Sequence, residues 1–288
     1  MIGFIGLGVM GEPICRNLAA KSGQKMCAYD VAPEPLERLK ALGVEPAGSV
    51  REVAERSDVV FLSLPGGKEV KLVAAGPGSL LIKLRAGAYI VDLSTTPVQL
   101  VRELRERFSA RGIHFVDAPV ARTREAAEQG TLSVMVGGTE AEFLRMKPLL
   151  AHFATDITHC GAAGAGQAMK LLNNMMLFQN VVALAEALTV VKKIGIDPAL
   201  ALDVLSKGSA DSFALRNHAM QAMLPGAFPE RAFSVEYARK DLGYFLQLAK
   251  QLQLDLSGAR NARAVLDKAS AAGLGKEYFP ALLKVIGR

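Results

Sequence analysis

Tryptophan is missing from the 288 residues, and aromatic residues make up only 6% of them. Modules that hold single-stranded nucleic acid stack bases on aromatic rings, so a chain this poor in rings is not expected to be one. Runs of five like charges and zinc-finger spacings are absent as well. The net charge of +6 therefore suits small anionic molecules better than a nucleic acid. Cysteine is scarce: Cys15, Cys27 and Cys160 are odd in number and far apart. That argues against a disulfide framework and fits reduced thiols of a cytoplasmic protein, each packed in a core. The four histidines, His114, His152, His159 and His218, show no paired helical spacing, so no metal centre is expected. Internal repeats and low-complexity linkers are lacking too. A strand that begins at the first residue leaves no room for a signal peptide. The longest apolar stretch, Met175 to Val191, is broken by Gln179 and Glu186, and is too short and polar to span a bilayer comfortably.

What is present is half hydrophobic and 22% charged, enough to bury a sizeable core in one large or two ordinary domains. The first eleven residues organise it. A short apolar strand, Ile2 to Ile5, runs into Gly6, Gly8 and Gly11, a G-x-G-x-x-G pattern that opens on a helical one. Gly6 lets the chain turn off the strand, Gly8 lets backbone approach a pyrophosphate, and Gly11 lets the helix pack close to the sheet. Leu7, Val9 and Met10 complete this candidate cofactor loop. The first N–H groups of the helix and the positive end of its dipole suit phosphates. A second strand, Lys25 to Tyr29, ends in Asp30, whose carboxylate suits a ribose 2′-OH and repels a 2′-phosphate. NAD is therefore the expected cofactor, with NADP less favoured.

The first half of the chain alternates strand and helix. Helices are expected over Pro33–Leu42, over Val50–Arg56 with Ser49 as cap, and over Lys68–Ala75. Another should follow Thr96 as N-cap, with Pro97 at its first position, and run to Ala110. Val59–Leu64, Tyr89–Leu93, Ile113–Val116 and Leu132–Val136 read as strands, and their unalternating apolar runs suit a parallel sheet covered on both faces. In such a doubly wound α/β domain the ligand lies beyond the carboxyl ends of the strands. That adds Leu64, Pro65 and Thr95 to the cofactor candidates, while Gly137-Gly138 reads as an ordinary turn. After Gly161–Gly166 the strand signals fade. Gln167–Ile194 reads as one long helix, and Asp197-Pro198 starts a series of further helices over Ala199–Ser206, Ala214–Met223, Ser234–Leu252 and Ala259–Ala272. The expected division is a Rossmann domain over 1–162 and an all-helical domain over 163–288, joined by the long helix.

Four blocks carry a family resemblance: FIGLGVMGEPICRNL from Phe4, DAPVARTREAAEQGTL from Asp117, GAGQAMKLLNN from Gly164 and RKDLG from Arg239. The chain resembles the β-hydroxyacid dehydrogenases, among them 3-hydroxyisobutyrate dehydrogenase, and the blocks fall in that family's order. The resemblance implies NAD(P)-linked hydride transfer between a short hydroxyacid and its aldehyde, and a homodimer or homotetramer joined through the helical domains. Lys170 and Asn174 are i and i+4 on one helix face, with Asn173 beside them. A lysine whose pKa is lowered by desolvation can exchange the hydroxyl proton, and an amide N–H can support the developing alkoxide. In the family the matching lysine is the acid/base and the matching asparagine holds substrate. The alternative is a lysine that snorkels to solvent.

At the second block the family reads D-A-P-V-S-G-G, and the serine and glycines hold a carboxylate. Here Ala121, Arg122 and Thr123 stand in those places. Arg122 offers a planar fork to an anion and Thr123 a hydroxyl. An Arg-Thr pair here is similar to sulfolactaldehyde reductases, where it grips a sulfonate. The alternative is a surface arginine, with the anion held by backbone. In the fourth block, the resemblance places Lys240 near the nicotinamide end of the cofactor. Phe233 reads either as a cover for that ring or as core. An imine reductase shares the architecture but usually lacks the lysine at 170, and a dinucleotide-binding scaffold without catalysis would have lost it. A 6-phosphogluconate dehydrogenase is longer.

Overall fold

A computed structural model describes residues 1–230 and 232–287 of the chain. They form two compact units, Met1–Lys170 and Leu171–Arg288. The first unit contains strands β1 (Ile2–Ile5), β2 (Met26–Tyr29), β3 (Val44–Pro46), β4 (Val59–Leu62), β5 (Tyr89–Asp92), β6 (His114–Asp117), β7 (Val120–Ala121), β8 (Leu132–Gly137) and β9 (Ala154–Gly161). Its helices are α1 (Gly11–Lys21), α2 (Pro33–Lys40), α3 (Val50–Arg56), α4 (Gly67–Ala75), α5 (Leu80–Lys83), α6 (Val98–Ser109), α7 (Arg124–Gln129) and α8 (Glu140–Leu150). The strands form one sheet in the order β3-β2-β1-β4-β5-β6-β8-β7, with β9 beside β8.

From β3 to β6 every pairing is parallel. This is the doubly wound Rossmann order, and the strand order reverses between β1 and β4, where the fold opens a crevice for a ligand. Side chains two apart share a face of a strand. Phe4, Phe61, Val91 and Val116 accordingly fall in one hydrophobic layer, and their neighbours Ile5, Val60, Ile90 and Phe115 in the other. That two-sided burial is why these strands read as unbroken apolar runs.

The structure corrects the expected sheet at one end. β8 pairs antiparallel with β6 and β7, and parallel with β9. An apolar run is the same in either direction, so Leu132–Val136 carries no sign of this. β3, β7 and β9, with α5, α7 and α8, were outside the sequence-derived elements. β3 and β7 are too short to show a period, and the run from Ala154 is polar and mostly uncovered. Ser49 caps α3 as expected, its side chain accepting from the Glu52 N–H. Thr96 does not cap α6: Pro97 occupies that position, and the Thr96 hydroxyl donates instead to buried Asp92 at 2.8 Å. A buried carboxylate needs donors more than a helix end needs a cap.

α9 (Ala165–Lys193) begins in the first unit and continues into the second. It matches the expected helix over Gln167–Ile194 to within two residues at each end, and it corrects the expectation of a stretch too short and polar to span a bilayer: by length and composition the helix is apolar enough to cross one. Leu171, Phe178, Val181, Ala185 and Leu188 on it are buried within the fold. The second unit continues with α10 (Pro198–Ser206), α11 (Val235–Gln251) and α12 (Ser257–Ala269). Leu215–Met223 and Ser270–Leu274 are more widely wound, and Phe279–Val285 more tightly wound, than an α-helix. Phe178 meets Phe279 edge-on at 5.3 Å and stacks on Phe233 at 6.1 Å; Phe233 itself is exposed, at the rim of this aromatic cluster.

Candidate active site

The glycine loop has the conformation its sequence demands. Gly6 has φ +94°, and a side chain there would strike the Ser63 carbonyl. One on Gly11 would strike the Gly6 carbonyl. Above Gly8 the space is open to 4 Å. Two of the glycines thus let the chain fold on itself, and the third leaves room for something outside it. Met10 provides no side-chain cap to α1, which suits an anion at the first N–H groups. Asp30 lies at the end of β2 and accepts from the Leu7 N–H at 2.5 Å and the Ala32 N–H at 2.8 Å. It therefore holds the loop that it was expected to serve beside, and each carboxylate oxygen retains a further lone pair. These features fit a dinucleotide.

Beyond β4 and β5 the loops are tied together. The Leu64 N–H donates to the Ser94 hydroxyl at 2.9 Å, and the Ser94 N–H donates to Asp92 at 3.0 Å. Pro65 is exposed and Thr95 half-buried. Asp92 has no solvent exposure, and burial pushes its carboxyl up to about 6 against the hydrogen bonds from Ser94 and Thr96. Its register partner on β6, Asp117, is equally buried and also raised, first by burial. Asp117 accepts from the N–H groups of Gly164 at 2.8 Å and Gln167 at 2.9 Å. Gly137 is no ordinary turn, because a side chain there would enter the Asp117 carboxylate. Neither acid was singled out from sequence. The available signal was an aspartate following directly on the apolar core of each of two strands, in YIVD and HFVD.

The loop at 121–123 departs most from expectation. Arg122 has φ +86°, in the left-handed region that favours glycine. The family pattern has glycine at that place; here the backbone turn is kept and an arginine bears the strain. Its guanidinium is turned onto β9, 2.6 Å from Asp156 and 2.9 Å from the Thr155 hydroxyl, and also donates to the Thr131 carbonyl. Three of the five N–H groups of the fork are therefore engaged within the fold. The Thr123 side chain caps α7, accepting from the Ala126 N–H, and Ala121 is the last residue of β7.

Lys170 is half-buried on α9. One turn on, Asn174 is buried, and its amide donates to Asp241 of α11 at 2.8 Å. Asn173 is exposed and donates to the Asn174 carbonyl oxygen at 3.1 Å. Asp241 is 1% exposed, and the Lys240 ammonium lies 3.1 Å from its other oxygen. That ammonium also lies over the rings of Tyr237 and Tyr244, at 5.2 and 5.6 Å. With one amide N–H and its carbonyl engaged, Asn174 has one N–H in a fixed direction. Asp241 was noted on its helix from sequence, without this role. Among the described residues no cluster of three metal-ligating side chains occurs.

Profiles of known families match both parts of the chain. The NAD-binding domain of 6-phosphogluconate dehydrogenase matches residues 1–161. The NAD-binding domain of NADP-dependent 3-hydroxyisobutyrate dehydrogenase matches residues 164–286. The 2-(hydroxymethyl)glutarate dehydrogenase of Eubacterium barkeri is 36% identical over 99% of this chain and 94% of its own. The chain belongs to the β-hydroxyacid dehydrogenase family. It is an NAD(P)-dependent hydroxyacid dehydrogenase, which sets aside the non-enzymic scaffold. Another relative of this dehydrogenase, the 2-hydroxy-3-oxopropionate reductase of Escherichia coli, is 34% identical over 99% of this chain and 96% of its own. A structure of Mycobacterium tuberculosis 3-hydroxyisobutyrate dehydrogenase with L-serine superposes with a TM-score of 0.88 at 30% identity, covering 100% of this chain and 99% of that one. An imine reductase from Myxococcus stipitatus, at 20% identity and TM-score 0.67 over 99% and 98% of the two chains, shares the fold.

Proposed function

We propose that the dehydrogenase transfers a hydride between NAD(H) and a short 3-hydroxyacid or its semialdehyde, with Lys170 as general acid/base. The observation that carries this is the pair on α9: a half-buried lysine, and one turn on a buried asparagine held by Asp241. The bound nicotinamide supplies the hydride acceptor or donor. Lys170 takes the hydroxyl proton during oxidation and returns it during reduction. The remaining N–H of Asn174 supports the same oxygen as charge develops on it. Asn173 keeps the Asn174 amide from flipping.

Residues 1–162 take the coenzyme through Gly6, Leu7, Gly8, Val9, Met10, Gly11, Leu64, Pro65 and Thr95. Asp30 favours NAD, because a carboxylate accepts from a ribose hydroxyl and repels a phosphate. Lys240 serves the nicotinamide end. Residues 163–288 carry the substrate side and the homodimer or homotetramer contact. The acid group of the substrate rests on the backbone N–H groups of Ala121, Arg122 and Thr123. A sulfonated or other anionic aldehyde is the second reading; it draws on the Arg122-Thr123 pair and needs Arg122 to leave Asp156. Imine reduction is disfavoured by Lys170. The working compartment is the cytoplasm, in keeping with three free cysteines.

The test is Lys170→Ala. It should lower kcat at least a hundredfold while NADH still binds. Turnover near the wild-type rate in this variant contradicts the acid/base assignment.

A further inference from the structure

Gln167 has no solvent exposure, so both ends of its carboxamide need partners. Its Oε1 accepts from the Thr96 N–H at 2.9 Å, and its Nε2 donates to the Ser94 carbonyl at 2.7 Å. These two backbone groups flank Thr95, at the end of β5. The same residue's main-chain N–H donates to Asp117 at the end of β6. Gly164 donates to the other oxygen of that carboxylate. Asp92 in turn holds the Ser94 N–H and the Thr96 hydroxyl. The helix start comes this close because Gly166 has no side chain; one there would run into the Met135 carbonyl and Asp117.

The two kinds of anchor do different work. Main-chain N–H groups bound to Asp117 set where α9 begins along its axis. An off-axis side chain bound on both sides of Thr95 sets its rotation about that axis. Side-chain tips lie about 6 Å from a helix axis, so a rotation of roughly 10° moves one by about 1 Å. A misplacement of that size can cost a reaction about a hundredfold. Lys170 is three residues after Gln167 and shares its face of the helix.

We propose that Gln167 is a positioning residue for the reaction: by clamping the backbone on both sides of Thr95 it fixes the coenzyme-side strand end and Lys170 in register. The inference rests on the acid/base reading of Lys170. Gln167 touches no reacting atom and acts through these two partners.

The experiment compares wild type, Gln167→Met, Gln167→Glu and Lys170→Ala as full chains. NADH titration gives coenzyme affinity, and thermal melting shows that each variant is folded. Kinetics use whichever of 3-hydroxyisobutyrate, L-serine and 2-(hydroxymethyl)glutarate the wild type turns over fastest. Gln167→Met keeps the length and removes both hydrogen bonds. It should lower kcat tenfold or more, leave the NADH dissociation constant and substrate KM within threefold, and displace the Lys170-dependent limb of the kcat/KM pH profile. Gln167→Glu keeps the acceptor for Thr96 and should lose three- to tenfold, which provides the measurement if the Met variant does not fold. A kcat within threefold of wild type in the variants, or losses confined to NADH affinity, overturns the proposal. If Lys170→Ala is inactive and the Gln167 variants are unaffected, only the positioning role falls. If Lys170→Ala retains wild-type turnover, the acid/base reading falls and takes this inference with it.

Discussion

Asn174 of α9 donates to Asp241 of α11 at 2.8 Å, and both side chains are buried. A carboxylate taken out of water is tolerable only with donors around it. Asp241 accepts from the Asn174 amide on one oxygen; the other accepts no hydrogen bond from the described residues and is balanced by the charge of the Lys240 ammonium 3.1 Å away. The asparagine is thereby aimed, and the acid is stabilised by the groups that it orients.

Asp241→Ala should leave the Asn174 amide free to turn and Lys240 without its carboxylate. The expected outcome is a kcat at least tenfold lower and a stability loss of about 2 kcal/mol, the scale of a hydrogen bond to a charged group. Steady-state kinetics and urea unfolding check both. Unchanged kcat would mean that the amide needs no such aim.

Asp30 has two partners within the fold and a predicted third on the coenzyme. Asp30→Ser should reduce the ratio of kcat/KM with NAD to that with NADP by tenfold or more, by removing both an acceptor and a repelling charge. Parallel assays with the two coenzymes decide it. A wild type that prefers NADP sinks the assignment outright.

Arg122 is strained at φ +86° and spent on Asp156, Thr155 and Thr131. Arg122→Gly relieves backbone strain and loses a solvent-exposed ion pair, two small effects of opposite sign, so the melting temperature should barely move. The KM for an acidic substrate should stay within threefold. A tenfold rise would show that the guanidinium leaves Asp156 to grip the acid group.

His218 is buried, with the Tyr278 hydroxyl 2.6 Å from its Nδ1, and burial lowers its pKa from 6.5 to about 4. The unfolded chain therefore takes up a proton near pH 6.5 that the folded chain refuses until about pH 4. Stability from this group is present above pH 6.5 and is lost as pH falls through that window, by about 3 kcal/mol. Asp92, raised from 3.8 to about 6, works in the opposite direction, gaining stability as pH falls from 6. His218→Gln retains an amide for Tyr278 and removes the titration. Its melting temperature should fall less than that of wild type between pH 7 and pH 4; parallel curves would contradict the buried neutral imidazole.

Local patterns carried the outline of this protein. The glycine loop with Asp30, the Ser49 cap, the alternation of strand and helix, and Lys170 one turn from Asn174 are all short-range features, set by backbone sterics and by the helical repeat. A resemblance in four blocks then pointed to the family. Tertiary structure alone decided the partners: Gln167 with Asp117 fifty residues away, Asn174 with Asp241 sixty-seven away, Arg122 with Asp156 thirty-four away, and β8 against β6 in the opposite direction. The physical reason is that a buried donor takes whichever acceptor the packed chain brings within about 3 Å. No periodicity along the sequence records which one that will be.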